Sequence, residues 1–208
     1  LLSDDTEDEL VLRDDARYVH RLTRTSLEEI GRSSSNGQRR SKVQPFSLEI
    51  RRPGVLDRLT FEAADRRFPG VGEVDIEVRA ASLNFKDIMI AMGLLPDEAL
   101  EGGFTGRALG MECAGTIVTV GESVTTFKRG DEVITCCPGG LRSYVVIDEG
   151  FVVPKPKSLN FEDAAALPIA FITAYYALHN VARIEKGERI LIHAAAGGVG
   201  LAAVQLAH

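Results

Sequence analysis

A β-rich domain that passes into the first strand and helix of an α/β unit is the architecture this sequence predicts, on three observations. Between Phe46 and Ile147 short apolar and β-branched runs recur, separated by Gly and Pro, the pattern of a barrel or sandwich of short strands. After Pro154 and Pro156 the apolar spacing lengthens to that of helices. The last twenty residues read as an apolar run (Ile190, Leu191, Ile192), a glycine-rich turn and a helix-forming stretch, the order strand, loop, helix.

Taken in order, residues 9–22 alternate about Asp14-Asp15, with Leu10 and Leu12 before and Tyr18, Val19 and Leu22 after, which predicts a short hairpin. A two-stranded hairpin is marginal alone, so it is expected to dock on another surface. Residues 31–44 turn to Ser, Asn, Gly, Arg and Lys and read as a linker or long exposed loop. Phe46–Ile50, ended by Pro53-Gly54, and Leu59–Glu62 are predicted strands. Glu73–Ala80 alternates acidic and apolar residues and reads as a half-buried strand. Asn84 can N-cap a helix over Phe85–Met92, with Asp87 in the first turn and Gly93 as the stop. Leu94–Gly106 is read as a loop, and 115–121, 131–135 and 143–147 as three further strands. Asn160 can cap Phe161–Ala166, Pro168 restarts the chain, and Ile169–Val181 is apolar nearly all round, which predicts burial. Arg189–His193 is then a strand. The divisions expected are a hairpin and linker over 1–45, the β-rich domain over 46–160 and the start of the second domain over 161–208.

Composition narrows the function classes. The 208 residues carry a formal charge of −6 with a pI near 5.3, whereas phosphate-backbone binding draws on clustered Lys and Arg. No nucleic-acid partner is therefore expected, and Arg39, Arg40 and Lys42 read as a solvated linker. No apolar run approaches the roughly 18 residues of a membrane span, and the acidic start is unlike a targeting peptide. Cys113, Cys136 and Cys137 form no CxxC pair. They read as free buried thiols in a reducing, cytoplasmic compartment.

The turn Ala195-Ala196-Gly197-Gly198-Val199-Gly200 places Ala195, Gly197 and Gly200 where the dinucleotide fingerprint has its three glycines. Gly197 would let the backbone approach a pyrophosphate, Gly200 would let helix and strand pack closely, and the helix start would hold the anion. A glycine-rich turn is also a common plain connection. The acid or base that reads the ribose lies about 20 residues beyond the glycines, past His208, so spacing alone leaves the 2′-phosphate open.

A second constellation joins Ser82-Leu-Asn-Phe-Lys-Asp87 to Gly110-Met-Glu-Cys-Ala-Gly115, with Gly121, 130–133 and the Ala-Ala-Leu-Pro-x-x-Phe-x-Thr-Ala-Tyr-Tyr-Ala-Leu run. With these motifs the chain resembles the medium-chain dehydrogenase/reductase superfamily. Within it, Asn-Phe-Lys-Asp-Ile-Met-Ile-Ala-Met-Gly looks most like the enoyl reductase domain of a multidomain polyketide synthase. The match is close from Phe46 to His208 and extends plausibly to the hairpin.

The resemblance implies a GroES-like β-barrel followed by a Rossmann cofactor domain, an active site in the cleft between them, and NADPH. Zinc-dependent relatives use a Cys and a His where Asn84 and Met111 stand, and neither is a zinc ligand, so no metal is expected. The implied reaction is hydride addition to the β-carbon of an α,β-unsaturated thioester borne on acyl carrier protein, with protonation at the α-carbon. Neighbouring synthase domains are the implied partners. Asn84 and Thr173 match positions near the nicotinamide, and Phe85, Lys86, Leu94 and Leu95 are expected to line the substrate. Read from the residues alone, Asn84 is an N-cap, Thr173 a buried hydroxyl bonded to its own helix, and Lys86-Asp87 a solvated pair. Leu94-Leu95 stand where many relatives carry a Tyr, and the proposed proton donors of related domains lie past His208. The sequence is thus expected to be a C-terminally truncated, inactive piece that binds NADPH weakly or not at all. The rival readings are a free-standing quinone or enone reductase and a non-catalytic scaffold module.

Overall fold

Val74, Ile76, Ile117 and Val133 are fully buried, and the alternation that places them inward is the one that builds the central sheet. The computed structural model describes residues 10–13, 16–19 and 44–208, in two units that divide between Val43 and Gln44. In the first, β1 (Leu10–Arg13) and β2 (Ala16–Val19) pair antiparallel, Leu10 opposite Val19 and Arg13 opposite Ala16. This is the hairpin the alternation predicts. The Asp14-Asp15 turn and the linker as far as Val43 lie outside the described residues.

The second unit opens with an antiparallel pair, β3 (Phe46–Ile50) and β4 (Leu59–Ala63). It continues through β5 (Glu73–Ala81), α1 (Phe85–Ala91), α2 (Asp97–Glu101), β6 (Glu112–Val120), β7 (Glu132–Cys136), β8 (Tyr144–Asp148) and β9 (Val152–Pro154). The last five strands form one antiparallel sheet in the order β8-β5-β6-β7-β9. The β5–β6 register slips between Asp75 and Ile76 and again between Val78 and Ala80. Such bulges bend and twist a sheet, here around a core of Val74, Ile76, Cys113, Ile117, Val133, Val145 and Ile147. The β3–β4 pair is tied on where Leu48 N–H donates to Leu141 O and Ser143 N–H to Phe46 O, both at 2.9 Å. The fold is the mixed α/β architecture with a curled, GroES-like sheet that the sequence predicts.

Beyond the sheet, α3 (Phe161–Ala165) starts as expected, with Asp163 N–H donating to Asn160 Oδ1 at 2.7 Å. Its Ala164 and Ala165 pack on Ala114 of β6. Pro168 occupies the first turn of α4 (Pro168–Tyr175), which runs into a π-helical turn, Tyr176–Val181. α5 (Gly198–Ala207) closes the chain, its Ala202 and Ala203 against Ala174 of α4.

Several expectations are corrected, and one element goes unpredicted. The 94–106 loop contains α2, whose Leu100 is buried in a small core with Ile90, Ala91 and Leu109. β9 goes unpredicted because three residues are too short to show a period. Arg189–His193 has no ladder partner, and Leu191 is exposed. A strand exists only by pairing, and no described residue pairs with it. The apolar 169–181 run is not buried: Ile172, Tyr175, Tyr176 and Val181 are exposed, because only the Ala174 side packs on α5. Finally, Phe161–Val181 is long and apolar enough to cross a membrane by length and composition, at 21 residues and mean hydropathy 1.3. Pro168 interrupts it, and its alanines pack on β6 and α5.

β5 is also more deeply placed than a half-buried strand. Asp75 is fully buried, and Arg66 reaches it with Nη2 at 2.7 Å while lying over the Tyr144 ring at 4.1 Å. Burial holds the Asp75 carboxyl above its ordinary value, with Arg66 opposing the rise. Removing Arg66 leaves a buried charge without its partner, so Arg66→Ala is expected to lower unfolding free energy by about 2–4 kcal/mol. Because the folded-state pKa is raised, ionisation is the step that costs stability. The deficit should therefore grow as pH rises from about 4 to about 7, as urea unfolding at both values would measure.

Candidate active site

β5 ends at Ala81, and Ser82-Leu83-Asn84 leads into α1. Asn84 is the N-cap residue, extended at φ −106° and ψ 155°. Asp87, the third residue of the helix, is 2% exposed and accepts Asn84 N–H and Gly110 N–H, each at 2.8 Å. Gly110 has φ +87°, and a Cβ there would come within 2.5 Å of Leu141 N. Only glycine brings this backbone N–H to the carboxylate. Asp87 thus pins the start of α1 to the segment entering β6. It is not half of a solvated pair with Lys86, which is partly buried with its ammonium against the backbone around Gly103.

The Asn84 side chain does something a bare cap does not. Its Nδ2–H donates at 2.9 Å to Oε1 of Glu112, which also accepts the Ser82 hydroxyl. The other oxygen, Oε2, accepts Ile169 N–H at 2.7 Å. Glu112 is 2% exposed at the first position of β6. One buried carboxylate therefore joins the β5–α1 loop to the first turn of α4. Sequence reasoning places Glu112 within a motif and assigns it no role. The available signal is a carboxylate opening the otherwise apolar run Glu-Cys-Ala-Gly-Thr-Ile-Val, since a charge in a buried strand demands partners.

Thr173 lies four residues after Ile169, one turn along the same face of α4. It is exposed, not the buried hydroxyl an all-apolar helix predicts. Phe85 and Leu94 are exposed at 75% and 65%. Leu95 turns inward onto Ile90, Ala91, Leu100 and Leu109, so the two leucines part company.

At the glycine turn, Gly197 caps α5 and its N–H donates to Ala194 O at 2.9 Å. A Cβ at Gly200 would meet Ala194 O at 2.3 Å and Ala195 Cα at 2.7 Å. The close packing of helix on the preceding segment accordingly requires glycine. Gly198 differs: a Cβ there meets nothing within 4 Å. Ala196, Gly197, Gly198 and Val199 are exposed and Ala195 is partly buried.

The three thiols are free and buried, with Cys113 Sγ and Cys137 Sγ 3.7 Å apart. Burial, reinforced by the Glu112 charge, pushes the Cys136 thiol up to about 12. The neighbouring Cys113 and burial hold Cys137 well above its ordinary value. Neither Cys136 nor Cys137 is a nucleophile at neutral pH.

Comparison with known proteins places this geometry. Residues 70–157 match the alcohol dehydrogenase GroES-like domain. The CurK enoyl reductase crystal structure superposes with a TM-score of 0.74 at 46% identity, over 79% of this chain and 51% of that one. The chain belongs to the medium-chain dehydrogenase/reductase superfamily, and the proteins it is similar to include polyketide synthase enoyl reductases.

Two synthases are similar in sequence to this chain. Reducing polyketide synthase hmp8 of Hypomyces subiculosus is 43% identical over 77% of this chain and 6% of the synthase. Highly reducing polyketide synthase curS1 of Aspergillus terreus is 37% identical over 100% of this chain and 9% of the synthase. The chain thus spans about half of the solved reductase and less than a tenth of these synthases.

Two outcomes follow for this member of the superfamily. Gly200→Ala should lower the thermal midpoint by several degrees, since the Cβ meets backbone that cannot move aside, whereas Gly198→Ala should leave it within about 2 °C. Iodoacetamide at about pH 8 should label the native thiols on the order of a thousandfold more slowly than the urea-unfolded chain, measured by intact mass.

Proposed function

We propose that this chain forms the barrel and the opening of the cofactor domain of an NADPH-dependent enoyl reductase acting within a polyketide synthase. Its substrate is an α,β-unsaturated acyl thioester carried on acyl carrier protein. The observation that carries the reading is the seating of Asn84. Its amide is held on a buried carboxylate that also grips the helix bearing Thr173, the two residues the family resemblance puts beside the nicotinamide.

The residues fit a dinucleotide. Gly197 and Gly198 leave backbone free of side chains at the start of α5, where N–H groups and the helix dipole favour a phosphate. Ala195, Ala196, Val199 and Gly200 complete that turn. NADPH, when bound there, would supply a hydride. The chain's own residues orient and enclose: Asn84 and Thr173 toward the nicotinamide, the exposed Phe85 and Leu94 as apolar walls, Lys86 at the rim, with Leu95 turned into the core behind them. Asp87 is no candidate proton donor, since its two oxygens are engaged by backbone N–H groups. The resemblance supports a metal-free reaction, because Asn84 and Met111 replace the ligands of zinc-dependent relatives. The synthase relatives support neighbouring synthase domains as partners and a cytoplasmic setting.

The test is reduction of crotonyl thioester by the reductase that carries this chain. NADPH should support turnover better than NADH, and EDTA should leave the rate unchanged. Asn84→Ala should lower kcat/KM roughly 10- to 100-fold and Thr173→Ala less. Absence of turnover by the unmutated enzyme would overturn the reading in favour of a scaffold.

A further inference from the structure

A carboxylate buried with three neutral donors and aimed at a candidate site residue asks what it decides there. Glu112 Oε1 takes Ser82 Oγ–H and Asn84 Nδ2–H, and Oε2 takes Ile169 N–H. An ionised carboxylate only accepts, so the Asn84 amide has one compatible orientation. Nitrogen faces Glu112, and the carbonyl oxygen, on the other arm of the same planar group, faces the first turn of α1, where the Asn84 side chain accepts the Asp87 N–H in a capping box. The backbone around Asn84 cannot be re-aimed freely either, because its N–H is held by Asp87.

We propose that Glu112 is a positioning residue that fixes the orientation of the Asn84 amide at the start of α1 and holds the first turn of α4 in register with it. This rests on the reading of Asn84 as a site residue. The same carboxylate spans two elements, so orientation of the amide and placement of the α4 face carrying Thr173 are set together. Neither Ser82 nor Ile169 could do this: a hydroxyl both donates and accepts and so leaves the amide either way round, and Ile169 contributes only backbone.

Glu112→Gln separates orientation from bulk. The Ile169 N–H is backbone and can only donate, so the oxygen of the new amide must face it. The NH₂ of that amide then faces Asn84, whose own amide must turn round and set its NH₂ against the Asp87 N–H, breaking the capping box, while the Ser82 hydroxyl rotates to suit. Two measurements follow. On this chain, ¹⁵N–¹H spectra should show the Asn84 side-chain NH₂ protected from solvent exchange, and Glu112→Gln should abolish that protection. In the reductase that carries the chain, Glu112→Gln should lower kcat/KM roughly 10- to 100-fold, with the thermal midpoint within about 3 °C. Adding Asn84→Asp to it should restore most of the loss, because the carboxylate then at position 84 accepts from the amide then at position 112 and again accepts the Asp87 N–H. Asn84→Asp alone sets two carboxylates face to face and should fare worse than either.

An unchanged Asn84 NH₂ in Glu112→Gln, or a double variant no better than Glu112→Gln, would overturn the assignment. A loss of thermal midpoint with kcat/KM intact would do the same, marking Glu112 as structural only. Should the spectra show the turn while the unmutated reductase reduces no enoyl thioester, Glu112 still orients Asn84 and the proposed reaction is what fails.

Discussion

The buried carboxylate of Glu112 is the point from which the site is built. It sits at the first residue of β6, inside a sheet whose neighbouring core is apolar, and it is held by a hydroxyl, a side-chain amide and a backbone N–H from separate parts of the chain. A desolvated charge is tolerated only when its hydrogen-bonding capacity is met. That requirement constrains Ser82, Asn84 and Ile169 jointly: each must be where the carboxylate can use it.

Asp87 repeats the logic one step away. It is buried at 2% exposure and receives N–H groups from Asn84 and Gly110, so α1 is anchored at its first turn and not merely capped. The two carboxylates divide the work on Asn84, one holding its backbone and the other its side chain. Rigidity of that kind is what the residue proposed to bind would otherwise lack on a loop, since loops owe their precision to the scaffold that holds them. Asp75 and its partner Arg66 show the same need for a partner in the sheet core without any bearing on the site.

The α4–α5 region works differently. Small residues, Ala174 against Ala202 and Ala203, let the helices approach closely, and Gly200 brings α5 onto the glycine turn. Large apolar side chains on the remaining faces of α4 stand exposed. Arg189–His193 has no ladder partner among the described residues.

Much of the β-rich half can be read in the amino-acid order, because alternation of period two and glycine punctuation are local signals: β3 to β8, the α1 boundaries and the Asn160 cap follow from neighbours a few residues apart. The glycine turn is legible for the same reason, and Gly200 takes the role its spacing indicates. What sequence could not decide was anything set by partners distant along the chain. Glu112 meets Asn84 across 28 residues and Ile169 across 57, and Asp87 meets Gly110 across 23. Whether a carboxylate is solvated or buried, whether an apolar segment becomes a strand, and whether Leu94 or Leu95 faces outward are questions of which surfaces meet. Local propensity fixes the elements; only the folded chain settles which of their polar atoms face one another, and in this protein that meeting decides how Asn84 is held.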